Sequence, residues 1–274
     1  MTEIQADKMD GLGNDFIIID RRKDKIDLSK EQIINIADRK KGPGCDQIII
    51  IDKDKEKKTN AKITFYNSDG GETGACGNGS RCITFFLMNE KKLNKSKINT
   101  ESGILKAKLT GKTEVSVDIG IPNFDWKKIP LVKKMNHANV KIKTKHFGIL
   151  SGYTLSVGNP HIIFFKDITF ELLKKIGPQI EHHEFFPERC NVTFADVINK
   201  KNIAVKVWER GAGLTLACGT AACATAVAAS KLGLTGKKVN IHFKNGTLHI
   251  EWTRDKHIIM TGSVSNIKNI SLKI

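Results

Sequence analysis

The chain is written twice, and that repetition limits its fold more than any other feature. Around Cys76 it reads Asn67-Ser-Asp-Gly-Gly-Glu-Thr-Gly-Ala-Cys76-Gly-Asn-Gly-Ser-Arg-Cys82. Around Cys218 it reads Glu209-Arg-Gly-Ala-Gly-Leu-Thr-Leu-Ala-Cys218-Gly-Thr-Ala-Ala-Cys223. Upstream, Gly13-Asn14-Asp-Phe matches Gly158-Asn159-Pro-His. The cysteines stand 142 positions apart (76 to 218) and the asparagines 145 (14 to 159). Two features at nearly one offset mark a single duplication rather than an array of short repeats.

Around these motifs the pattern is mostly β. Short runs rich in Val, Ile, Phe or Thr, bounded by Gly, Asn or Lys, predict strands. In the first half these are 15–20, 47–52, 62–67, 104–109 and 114–119. In the second half they are 152–157, 161–166, 203–209, 238–243, 247–252 and 257–262. A last strand is expected over 263–274, crossing back to the first half. Residues 30–37 and 170–177 read as surface helices. Residues 80–93 and 221–232 read as helices of another kind, the latter without a charge until Lys231. A helix apolar on nearly every face must be surrounded by protein.

The expected fold is therefore α+β. It has two pseudo-symmetric halves, each a strongly curved, mostly antiparallel sheet or barrel around a central helix. A cysteine stands just before each of those helices. Gly, Pro and Asn near 120–128 place the boundary, giving halves of 1–120 plus 263–274 and 121–262.

Composition narrows the class. With 40% hydrophobic and 27% charged residues in 274, the chain buries a full core. It holds no run of about 18 uncharged apolar residues, so no membrane span is expected. The first residues lack the apolar core of a secretory signal, which makes the expected location cytoplasmic. The formal charge of +16 comes from dispersed lysines in polar connections rather than one basic stripe, so no nucleic-acid partner is expected. Six cysteines without C-x-x-C spacing predict neither a disulfide scaffold nor a zinc site. Cys45, Cys82, Cys190 and Cys223 read as small buried hydrophobes. Gly11-Leu-Gly13 precedes a strand and so fails as a dinucleotide motif. No cofactor and no metal is called for.

The chemistry lies in the other two cysteines. A thiol at a helix N-terminus faces free N–H groups and the positive end of the helix dipole, which lower its pKa toward neutrality. The same N–H groups, freed by glycine, form an anion site. Two such sites from equivalent halves suit stereoinversion, which needs a base on one face of a carbon and an acid on the other. N–H donors aimed at a carboxylate stabilise the carbanion.

The segments GLGNDF (11–16), ACGNGSRC (75–82), GNPH (158–161), FPERCN (186–191), ERGAG (209–213) and ACGTAACA (217–224) resemble those of the diaminopimelate epimerase family, in its order and spacing. The resemblance covers essentially the whole chain. It implies an isomerase that interconverts LL- and meso-2,6-diaminopimelate, on the route to lysine and cell-wall precursor, as a homodimer. It places the acid/base pair on Cys76 and Cys218. Substrate contacts fall on Asn14, Gln47, Asn67, Asn78, Asn159, Asn191, Glu209 and Arg210, and the backbone of Gly77, Asn78, Gly219 and Thr220 holds the reacting carboxylate. These types fit two carboxylates and two ammonium groups: Arg210 forks onto the distal carboxylate and Glu209 offers an ammonium partner. His161 orients the site or tunes a thiol. Leu214 stands where many members carry Glu, and Ala221-Ala222 where Gly-Ala is more usual.

Three rivals remain at this level. A proline or hydroxyproline racemase-like enzyme shares the two-cysteine logic. A basic nucleic-acid-binding protein explains the charge but neither cysteine motif. A thiol–disulfide oxidoreductase requires Cys76 and Cys218 to form a disulfide in turnover.

Overall fold

The computed structural model describes residues 3–24, 26–74 and 76–274; Ala75 of the first Ala-Cys-Gly motif lies outside them. In chain order the elements begin with β1 (Glu3–Gly11), β2 (Asn14–Asp20), α1 (Lys30–Ala37), β3 (Gln47–Asp52), β4 (Ala61–Asn67) and β5 (Glu72–Thr73). There follow α2 (Gly77–Lys91), β6 (Lys95–Thr100), β7 (Gly103–Leu109) and β8 (Glu114–Gly120). Next come β9 (Val140–Thr144), β10 (Gly148–Ser156), β11 (Pro160–Phe164), α3 (Phe170–Glu181), β12 (Asn191–Asn199) and β13 (Asn202–Glu209). The chain closes with β14 (Gly213–Thr215), α4 (Gly219–Lys231), β15 (Lys238–Phe243), β16 (Gly246–Trp252), β17 (Ile258–Ser263) and β18 (Lys268–Lys273). Two compact units result, Met1–Asp118 with Thr261–Ile274, and Ile119–Met260.

In the first unit the strands run β18-β1-β2-β3-β4-β6-β7-β8, with β5 paired on β4. Among the described residues of these pairs, β2/β3 and β4/β6 are parallel and the others antiparallel. Helix α2 packs on β1 and β2 and also on β6 and β7, although β3 and β4 lie between those pairs. A sheet whose separated strands touch one helix must curl around it. Ile17–Ile19 and Ile48–Ile51 are buried without alternation because both faces of β2 and β3 are covered, α1 packing near β3 through Ile33 and Ile36. Ser29 caps α1 in a capping box with Gln32, which sets the helix start.

The second unit repeats the topology. Its strands run β9-β10-β11-β12-β13-β15-β16, with β14 on β13, and only β11/β12 and β13/β15 are parallel. Helix α4 packs on β10, β11, β12, β15 and β16. All residues from Gly219 to Ala229 are buried. Six alanines on that stretch let strands approach closely, so a larger side chain there overpacks the core at a cost of about 1–3 kcal/mol.

Several elements depart from the pattern reading. Helices α2 and α4 start at Gly77 and Gly219, three and two residues before the expected starts, because the cysteines themselves are the N-caps. Helix α3 does not stop at Gly177; it runs through Pro178 to Glu181, since Ile180 is a fully buried core residue. The single final strand expected over 263–274 is two: β17 ends at Ser263 and β18 begins at Lys268. Between them Val264 and Ser265 donate N–H to Thr113 and Asp10 carbonyls, which breaks the ladder. Strands β1, β5, β6, β9, β12 and β14 fall outside the expected runs. In β1 and β6 charged or polar residues separate the inward Ile4, Ala6 and Met9, or Ser96 and Ile98, and blur the alternation.

Candidate active site

In the first unit Cys76 is extended (φ −140°, ψ 108°) and caps α2. The Gly79 N–H donates to its Sγ at 3.2 Å. The thiol points to Asn14 Oδ1 at 4.0 Å. Gly79 is glycine for space: a Cβ there would lie 2.9 Å from Phe65 Cε1 and 3.2 Å from Phe16 Cε1. Gln47 on β3 and Asn67 on β4 are opposed in register, and Gln47 Nε2 donates to Asn67 Oδ1 at 2.8 Å. Gln47 Oε1 and Asn78 Oδ1 are shielded from water without a partner in the protein. Such acceptors cost free energy unless a ligand donates to them.

Asn14 is oriented by groups the sequence did not point to. Its Nδ2 donates to Asp46 Oδ2 at 2.7 Å, which turns the carbonyl toward Cys76. Asp46 Oδ1 in turn accepts from Arg39 at 2.8 Å. Arg39 also grips Asp15, whose other neighbour is Lys8 at 3.0 Å. Burial works to raise the Asp15 pKa, yet Arg39 and Lys8 outweigh it and hold the carboxyl at about 2. Arg39 and Asp46 lie outside the quoted motifs and 25 or more residues from Asn14 (14 to 39, 14 to 46), so spacing gave no signal for them.

In the second unit Cys218 caps α4 with nearly the same backbone, φ −139° and ψ 113°, but no side-chain capping bond. Its Sγ lies 3.4 Å from Thr220 Oγ1, and Asn159 Nδ2 donates to that hydroxyl at 3.3 Å. Asn159 Oδ1 accepts from His161 Nε2 at 2.9 Å. An amide oxygen only accepts, so the imidazole proton sits on Nε2. His161 Nδ1 is then a bare acceptor, buried and without a partner in the protein. Burial, with Arg210 adding to it, pushes the His161 pKa down to about 3, so this ring is neutral.

Asn191 lies beside His161 in the parallel β11/β12 pair. Its Nδ2 donates to the Pro160 carbonyl at 3.0 Å, and its Oδ1 accepts the Arg210 N–H at 3.0 Å. Register makes the halves match: β2/β3 sets Phe16 beside Gln47 and β3/β4 sets Gln47 opposite Asn67, while β11/β12 sets His161 beside Asn191 and β12/β13 pairs the next residues, Val192 and Trp208, with Glu209 following Trp208.

For Cys218 the electrostatic expectation is overturned. Helix position was expected to bring both thiols toward neutrality. Burial instead pushes the Cys218 thiol well above the usual cysteine range, and the Glu209 carboxylate, within hydrogen-bond reach, pushes it further. Thr220 and the Ala221 N–H pull the other way without reversing it. A half-unit of dipole charge does not offset full desolvation plus a nearby anion. Cys218 is therefore a protonated thiol. Cys45, Cys82, Cys190 and Cys223 are buried, as expected of packing cysteines. Among the described residues no group of three His, Cys, Asp or Glu could hold a metal ion, and no helix is long and apolar enough to cross a membrane.

The duplicated sheet-around-helix topology, with a cysteine N-cap in each unit, is a fold shared by solved epimerases. The hydroxyproline epimerase of Agrobacterium vitis, solved with trans-4-hydroxy-L-proline bound, shares it with a TM-score of 0.70 over 98% of this chain and 92% of that one, at 12% identity. The family model for diaminopimelate epimerase matches residues 7–124 and 153–267. The diaminopimelate epimerase of Pelagibacter ubique is 52% identical over 99% of this chain and all of its own. That of Caulobacter vibrioides is 43% identical over 94% of this chain and 93% of its own. The chain belongs to the diaminopimelate epimerase family.

Proposed function

We propose that this isomerase interconverts LL- and meso-2,6-diaminopimelate by moving a proton at one α-carbon between Cys76 and Cys218. The observation that supports it most is the residue-by-residue match of the two half-sites, each ending in a thiol at a helix N-terminus. A reversible inversion needs two groups of one kind, one ready to accept a proton and one ready to give it. A protonated Cys218 is suited to give; Cys76, receiving an N–H bond from Gly79, is suited to accept.

In this reading the first-turn N–H groups of Gly77 and Asn78, and of Gly219 and Thr220, hold the reacting carboxylate as charge spreads onto it. Asn14, Gln47, Asn67, Asn159 and Asn191 supply carbonyl acceptors to the two ammonium groups and amide donors to the carboxylates. Glu209 pairs with an ammonium and Arg210 forks onto the distal carboxylate. Neutral His161 accepts through Nδ1. The enzyme works without cofactor, as a homodimer, in the cytoplasm.

Deuterium wash-in at the α-carbon of LL-diaminopimelate, in deuterium oxide, tests the reading. Exchange with conversion to the meso isomer is expected, and Cys76→Ser or Cys218→Ser abolishes conversion. The Agrobacterium fold relative keeps a proline-type substrate as the second reading. Exchange into proline with none into diaminopimelate favours that alternative.

A further inference from the structure

Helix α3 takes no part in the half-sites, yet it carries a side chain 4% exposed and fully engaged: the carboxylate of Glu181. Its Oε2 accepts the Trp208 indole N–H at 2.7 Å. Its Oε1 accepts the Gly211 backbone N–H at 2.9 Å. One carboxylate therefore grips the residues on both sides of the Glu209-Arg210 pair. Arg189 Nη1 stands 4.0 Å from Oε1, and His182 Nδ1 stands 4.0 Å from Oε2.

The seat for Trp208 is made by a second residue one helical turn earlier. Gly177 and Glu181 are four apart and share a face of α3. A Cβ at Gly177 would lie 2.7 Å from Trp208 Cγ and Cδ2, so only glycine lets the ring lie flat there. The loop folds back over the same ring, since a Cβ at Gly213 would lie 3.5 Å from Trp208 Cη2.

The two residues inside the grip differ in how much they need it. Glu209 is fixed by the sheet, paired with Gly213 across the β13/β14 hairpin. Arg210 sits at the exposed turn between those strands. Its own anchors are the Asn191 bond to its N–H and a 3.2 Å bond from Nη1 to the Glu188 carbonyl. A buried carboxylate is costly unless every lone pair has use, and here each oxygen has a donor on this turn.

We infer that Glu181 is a positioning residue that holds the 208–211 turn so that Arg210 meets the distal carboxylate of the substrate. This rests on the reading of Arg210 given under Proposed function. Glu181 touches no reacting atom, so its removal acts on substrate capture rather than on proton transfer.

Glu181→Gln is the discriminating variant. It keeps the volume, but its amide accepts from only one of the two N–H groups and turns its own NH₂ toward the other. With LL-diaminopimelate in the wild-type assay, KM is expected to rise about tenfold or more while kcat stays within about threefold, the size of one lost bond to a charged group. Arg210→Ala is expected to raise KM in the same direction and further. An unchanged KM in Glu181→Gln overturns the inference, as does a fall confined to kcat. If Glu181→Gln does not fold, Trp208→Phe keeps a ring on Gly177 and removes one donor; an unchanged KM there overturns the inference equally. Wild-type enzyme inert toward diaminopimelate sinks the functional reading itself, whereas an active wild type with an unaffected Glu181→Gln sinks only this inference.

Discussion

Gly79 donates its backbone N–H to the sulfur of Cys76 across 3.2 Å, and in the same place has no room for a methyl group. Its ideal Cβ would stand 2.9 Å from Phe65 and 3.3 Å from Cys76 Sγ. Gly79→Ala is therefore expected to push the first turn of α2 away from the sheet. A displacement near 1 Å at a reacting group costs about a hundredfold in rate. The measurement is kcat/KM for diaminopimelate beside a thermal melt. Wild-type kinetics would mean that this turn does not set the thiol.

The two thiols differ in exposure, and alkylation should distinguish them. Cys76 is half-buried, whereas Cys218 is buried and held protonated. Iodoacetamide at neutral pH is expected to label Cys76 first, because the thiolate is the nucleophile. Peptide mass analysis over time reads the order. Faster labelling of Cys218 contradicts the electrostatic description of its pocket.

Glu209 raises the Cys218 pKa through charge and a hydrogen bond. Glu209→Gln removes the charge and keeps the shape, so Cys218 should ionise at lower pH than in the parent enzyme. Ultraviolet thiolate titrations in a Cys76→Ser background, with and without Glu209→Gln, read that group by difference, since the buried Cys45, Cys82, Cys190 and Cys223 are common to both. A shift upward, or none, would show that desolvation alone governs it.

His161 predicts an acid limb in stability. The unfolded imidazole titrates near 6.5, the folded one at about 3. Below 6.5 the unfolded chain takes up a proton that the folded chain refuses. Stability is thus full above about 6.5 and declines as pH falls toward 3, by about 1.4 kcal/mol per pH unit. Urea midpoints across that window should fall less steeply in His161→Asn than in wild type.

Sequence alone determined the duplication, the class of fold, and the two cysteines ahead of buried helices. These are local matters: an Ala-rich stretch without charge has to be enclosed, and a strand, a glycine turn and a helix follow from adjacent residues. It also pointed to Asn14, Asn159 and Asn191 through their motifs, and to Gln47 through the family resemblance.

Tertiary structure decided what pairs distant residues or depends on water. Glu181 meets Trp208 and Gly211 only because α3 runs through Pro178 to reach them. Asp46 and Arg39 orient Asn14 from a loop with no motif of its own. The protonation of Cys218 follows from enclosure and from Glu209 nearby, neither of which a helix start announces. Propensity acts over a few residues, whereas desolvation and charge pairing are set by whatever the folded chain brings close.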